Sequence, residues 1–93
     1  MLEIKKGTNN FYLGQNEHDF LAEITYYVDG NNHLVVNHTF VDPSLRGQGI
    51  ANQLVIKVIE YAQNQNLKIV PECSYVISFF QKNHEYHDIL AYK

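Results

Sequence analysis

Three features of this 93-residue chain can do chemistry: a glycine-rich loop, a solitary cysteine and a histidine in a strand-like run. The loop reads Val41-Asp42-Pro43-Ser44-Leu45-Arg46-Gly47-Gln48-Gly49-Ile50-Ala51, between a β-branched segment and an amphipathic one. Gly47 and Gly49 lack a Cβ, so backbone N–H groups at the mouth of the following helix can crowd around an anion. The helix start adds roughly half a positive charge and unpaired donors. Phosphate suits this arrangement; a purely structural turn is the competing reading. The dinucleotide fingerprint is excluded, because Asn52 stands where its third glycine belongs, and a P-loop is excluded for want of a Gly-Lys-Ser/Thr ending.

Cys73 follows Pro71-Glu72 and precedes a helix start, where the helix dipole favours a thiolate. Glu72 opposes that by like-charge repulsion if close, and a small buried packing thiol is the alternative. His38 lies on a strand that should neighbour the one leading to Cys73. Its imidazole can take a proton from the thiol or from an incoming amine near neutral pH; a hydrogen-bonded structural histidine is the other reading. His18, His33, His84 and His87 sit near turns or chain ends. Among them only His84-Glu85-x-His87 approaches metal-ligand spacing, and it reads as a solvated helix end, so no metal is expected.

The elements that must position these groups follow from periodicity. Residues 2–6 alternate and read as an edge strand, and residues 11–14 as a second short strand. Residues 20–28 are β-rich, and Asp29-Gly30-Asn31-Asn32 is a hairpin signal, since Gly and Asn tolerate φ > 0. Residues 33–41 form the partner strand. Strict alternation puts Leu34, Val36, His38 and Phe40 on one face and Val35, Asn37, Thr39 and Val41 on the other; both carry apolar residues, so the strand is central. From Gly49 the period becomes helical, with Ile50, Leu54, Val55, Val58, Ile59 and Ala62 in one stripe. Residues 67–70 make a further strand, so strand, helix and strand form a βαβ crossover with parallel strands. Ser74 is placed to cap a last helix over residues 75–83, in which Tyr75, Phe79 and Phe80 share a face.

Length and composition bound the rest. Ninety-three residues make one domain, 1–93, and 45% hydrophobic residues argue for a folded core. A net charge of −3 gives no general footprint for nucleic acid. No apolar run is long enough to span a bilayer or form a signal core. A single cysteine permits no internal disulfide and fits a reducing, cytoplasmic setting.

The pattern Arg46-x-x-Gly49-x-Ala51, flanked by His38-Thr39-Phe40-Val41 and by Leu67-Lys68-Ile69-Val70-Pro71-Glu72-Cys73-Ser74-Tyr75-Val76, resembles the small single-domain GNAT-like N-acetyltransferases over about residues 33–86. The resemblance implies an α+β acyl-CoA N-acyltransferase fold, with an antiparallel sheet leading into a parallel βαβ unit. It implies acetyl-CoA or CoA as co-substrate, pyrophosphate on the amides of Arg46, Gly47, Gln48, Gly49, Ile50 and Ala51, and pantetheine along the strand carrying Phe40 and Val41. Tyr75 would flank the pantetheine. The acceptor is an unidentified amine, small molecule or protein.

Relative to full GNAT domains the chain is shortened, because the usual helices do not fit between residues 6 and 20, so the acceptor pocket should be shallow or open. The family's acid–base positions fall at Phe40 and near Phe80 here, neither of which moves a proton. The resemblance therefore points to Cys73 as an acetyl-accepting nucleophile; His38, the nearest imidazole by topology, is the candidate base. A CoA-binding or interaction module without turnover is the alternative function.

Overall fold

The computed structural model describes residues 3–92. Its strands are β1 (Lys5–Lys6), β2 (Asn10–Asn16), β3 (Asp19–Val28), β4 (His33–Val41) and β5 (Lys68–Pro71). The helices are α1 (Ile50–Asn64) and α2 (Ser74–Lys82), with 3-10 segments at Pro43–Leu45 and His84–Ile89. The strand expected over residues 2–6 is present as Lys5–Lys6; Leu2 lies outside the described residues.

The five strands lie in the order β1-β2-β3-β4-β5. Neighbours from β1 to β4 are antiparallel and β4–β5 is parallel, as the crossover through α1 requires. The β3–β4 hairpin closes on Asp29, whose Oδ1 accepts from the N–H groups of Asn31 (2.7 Å) and His33 (3.0 Å). Asn32 takes the positive φ of 60° there.

The predicted stripe of α1 is the buried one: Ile50, Leu54, Val55, Val58, Ile59 and Ala62. It joins Ala22, Ile24 and Tyr26 of β3, Leu34 and Val36 of β4, and Val76, Phe79 and Phe80 of α2 in one hydrophobic cluster. Each fully buried Leu, Ile or Val there is worth about 1.5–3 kcal/mol over leaving it in water. Phe80 is 3% exposed, so the position is packing and has no access to a reacting group.

Two expectations are corrected. Strict alternation along β4 fails, because Thr25 pairs with His38 but Tyr26 pairs with Val36, leaving Asn37 as a bulge residue. Beyond it the faces exchange. Thr39 and Val41, opposite the buried Ile24 and Ala22, share the core face with Leu34 and Val36; His38 and Phe40, opposite Thr25 and Glu23, point to the other face. Second, the N-cap of α2 is Cys73, and Ser74 is the first helical residue, with no side-chain cap bond.

The pairing of β4 with β5 ends at Val36 and Pro71. There Val36 O accepts from both the Glu72 and Cys73 N–H groups (2.9 and 3.2 Å), and the chain turns into α2. Residues 37–41 therefore have no strand neighbour on that side among the described residues. On the far side of β5, Leu90 bridges to Ile69 and Ala91 N–H donates to Ile69 O at 2.9 Å, so the tail covers that edge.

Candidate acetyl-CoA site

The open edge of β4 and the glycine loop border one cleft of about 420 Å³. Asp42 organises the loop: its carboxylate accepts from Ser44 N–H at 2.9 Å and from the Ser44 hydroxyl, while Leu45 N–H donates to Asp42 O at 2.9 Å. Those Ser44 bonds hold the Asp42 carboxyl below its ordinary range. The chain then passes through Gly47 at φ 84° and Gly49 at φ 75°, the left-handed region that favours glycine.

Gly49 is the N-cap of α1 and offers no capping side chain. The first helical bond runs from Gln53 N–H to Gly49 O, so the N–H groups of Ile50, Ala51 and Asn52 have no backbone acceptor among the described residues. No acidic residue in the first turn offsets the positive end of the helix. A Cβ at Gly47 or Gly49 would meet no heavy atom within 4 Å, so both positions face open space. Arg46 Nε donates to Val41 O at 3.2 Å, which anchors an exposed guanidinium between strand and loop.

At the other end of the cleft, Tyr75 of α2 donates its hydroxyl to Asn52 Oδ1 at the start of α1. Cys73 Sγ lies 3.4 Å from Thr39 Oγ1, and Thr39 lines the cleft. Burial pushes the Cys73 thiol up, but the Thr39 hydroxyl and the amides of Val76, Tyr75 and Thr39 outweigh it and hold the thiol below its ordinary value. Glu72 is exposed and does not contribute to that shift.

Of the residues expected to hold CoA, Phe40, Val41, Arg46, Gly47, Gly49, Ile50, Ala51 and Tyr75 line the cleft; Gln48 is exposed and does not. Thr39, Leu45 and Asn52 line it without having been singled out from the sequence. The sequence marks Asn52 only as the residue standing where a dinucleotide loop has its third glycine, although the helical spacing puts it in the first turn. His38 is turned by the bulge to the face opposite Thr39, with its Nε2 3.9 Å from Glu23 Oε2. Among the described residues no group of three or more His, Cys, Asp or Glu is placed to hold a metal ion, and no helix is long and apolar enough to cross a membrane.

A five-stranded sheet opened at one parallel pair, with a helix N-terminus aimed at the opening, defines an acyl-CoA N-acyltransferase fold. Comparison with known proteins agrees. The sequence model of the family described as GCN5-related N-acetyl-transferase matches residues 10–89, and the chain belongs to that family. A GCN5-like protein from Staphylococcus aureus, assigned as an N-acetyltransferase, superposes with a TM-score of 0.80 at 43% identity, over 96% of this chain and 87% of that one.

A Bacillus anthracis protein assigned as a streptothricin acetyltransferase, solved in complex with acetyl coenzyme A, shares the fold at TM-score 0.60 and 17% identity. That match covers 83% of this chain and 48% of that one. The ribosomal-protein-alanine N-acetyltransferase of Brucella melitensis does so at TM-score 0.56 and 20% identity, over 95% and 66%.

Proposed function

We propose that the protein binds acetyl-CoA and transfers the acetyl group to a primary amine, with Cys73 as an intermediate acetyl carrier. The observation that carries this reading is the cleft, in which unpaired amides of a helix start and two left-handed glycines meet the unpaired edge of β4. Pyrophosphate is the charge those amides suit. The β5-facing backbone of residues 37–41 offers donors and acceptors to the amide groups of pantetheine. The acetyl thioester would then lie toward Thr39 and Cys73. The Cys73 thiolate attacks the acetyl carbon, the C–S bond to CoA breaks, and CoA leaves as thiolate. The acceptor amine next attacks acetyl-Cys73 after losing a proton to His38 and regenerates the thiol.

A CoA-binding module without turnover is favoured by one observation: Phe80 is packed in the core, and Phe40 stacks edge-on against Phe20 at 6.3 Å, so neither position supplies an acid or base. Intact-mass measurement after incubation with acetyl-CoA separates the two. One added acetyl group on Cys73, chased off by an amine, supports transfer. Tight CoA binding with no mass change and no thiol release supports the module.

A further inference from the structure

The face of the sheet to which His38 turns holds a largely buried carboxylate, Glu23, which serves the buried Asn10 amide with one oxygen and has the other toward His38. The Glu23 side chain is only 14% exposed, and no lysine or arginine lies within ion-pair distance among the described residues. It is flanked in its row by Tyr12 on β2 and Phe40 on β4, with Lys5 one strand further along. Asn10 Nδ2 donates to Glu23 Oε1 at 3.0 Å, and Oε2 lies 3.9 Å from His38 Nε2, within ion-pair range but beyond hydrogen-bond reach. Taking a carboxylate most of the way out of water is costly, and an uncharged side chain would tie β2 to β3 more cheaply.

Position matters as well as charge. Phe40 borders the cleft from this face, while Thr39 and Val41 border it from the core face. The unpaired edge of β4 therefore joins the two faces. An acceptor resting on the Glu23–His38 side can meet a thioester held on the Thr39–Cys73 side.

We infer that Glu23 is a positioning residue for His38: the charge on its Oε2, 3.9 Å from Nε2, draws that edge of the imidazole toward itself and leaves Nδ1 to take the proton of a cationic amine acceptor. The inference rests on the transfer reading above. The charged and titratable groups around the pair are Glu17, whose backbone carbonyl accepts from Asn10 Nδ2 at 3.4 Å, together with Tyr12 and Lys5 on the neighbouring strands. With the Phe20 and Phe40 rings beside it, this surroundings suits an alkylammonium.

The step balances. The ammonium gives one proton to His38 Nδ1, and the imidazolium is offset by the Glu23 carboxylate. The freed amine attacks the thioester carbon, the C–S bond breaks, and the second proton on nitrogen goes to the departing thiolate.

The test uses the full chain, acetyl-CoA and 1,5-diaminopentane as acceptor, reading thiol release together with ¹⁵N shifts of the His38 ring. Glu23→Gln should lower kcat about tenfold or more while leaving acetyl-CoA affinity within twofold, and Glu23→Asp should restore part of kcat. Adding Glu23→Gln to His38→Ala should cost nothing further. The neutral ring should favour Nε2–H in the wild type and lose that bias in Glu23→Gln. Full kcat in Glu23→Gln beside a loss in His38→Ala overturns the positioning role and leaves the transfer reading intact. If the wild type binds acetyl-CoA but acetylates nothing, the transfer reading falls instead. The ring tautomer then decides: an unchanged mixture in Glu23→Gln overturns the positioning role too.

Discussion

Cys73 is held between opposing effects, and the balance can be moved one atom at a time. Its partial burial disfavours the thiolate, while Thr39 Oγ1 at 3.4 Å and the first amides of α2 favour it. Because the folded thiol titrates below its ordinary value, more thiolate is present at any given pH below that value. Thr39→Val deletes one stabilising group, so the midpoint of iodoacetamide alkylation against pH should move upward. An unmoved midpoint would show that the helix amides act alone. Cys73→Ala should keep CoA affinity within about threefold, under the ~1.4 kcal/mol of a tenfold change, yet abolish the acetyl adduct. At Arg46, the bond to Val41 O leaves the outer guanidinium free for phosphate. Arg46→Ala should therefore weaken CoA binding by about 1–2 kcal/mol at low salt and by less at high salt, as calorimetry at two ionic strengths would read.

Between residues, the loop and the bulge do the positioning, and each can be removed as a unit. Asp42 serves Ser44 through two bonds and is held below its ordinary range. A depressed folded value means the loop's order is complete above the unfolded carboxylate range and is lost as pH falls through the folded value. Asp42→Ala should remove that order at every pH and weaken CoA binding even at pH 7. Deleting Asn37 would remove the bulge and restore strict alternation in β4 without exchanging the faces: Thr39 and Val41 stay toward the core, and His38 and Phe40 stay away from it. The expected result is a native near-UV circular dichroism spectrum; a lost spectrum would mean that the extra residue is needed for the local twist of the sheet. The same two units mark what the sequence could reveal. The stripe on α1 and the Asp29 hairpin were legible because each repeats a local period or a local φ requirement. The bulge was not, since Asn37 fits alternation as well as any polar strand residue and only the pairing with β3 exposes the extra residue. Gly49 was legible as chemistry, whereas Thr39 joins the site through the bulge and Asn52 through the Tyr75 hydroxyl of α2.

At the scale of the whole molecule, ligand binding and stability should be one measurement. The cleft is bordered by β4, the loop, α1 and α2, and the same helices pack the only cluster that joins all these elements among the described residues. A ligand held there cross-links α1 to the sheet without reaching the unfolded chain. At a hundredfold excess over its dissociation constant it adds about 2.7 kcal/mol to the folded state. In a domain of this size each kcal/mol moves the melting midpoint by about 4–8 °C. Saturating CoA should therefore raise Tm by roughly 10–20 °C in a single transition. Gly49→Asp tests whether the loop is the cause. No heavy atom blocks the new side chain, Asp like Asn tolerates the left-handed φ of 75° better than other side chains do, and its charge faces the pyrophosphate position. The variant should melt within a few degrees of the wild type without ligand and gain nothing from CoA. Gly49→Asn, which tolerates this backbone and carries no charge, should melt near the wild type and keep part of the gain. A full CoA shift in folded Gly49→Asp would place the phosphates elsewhere.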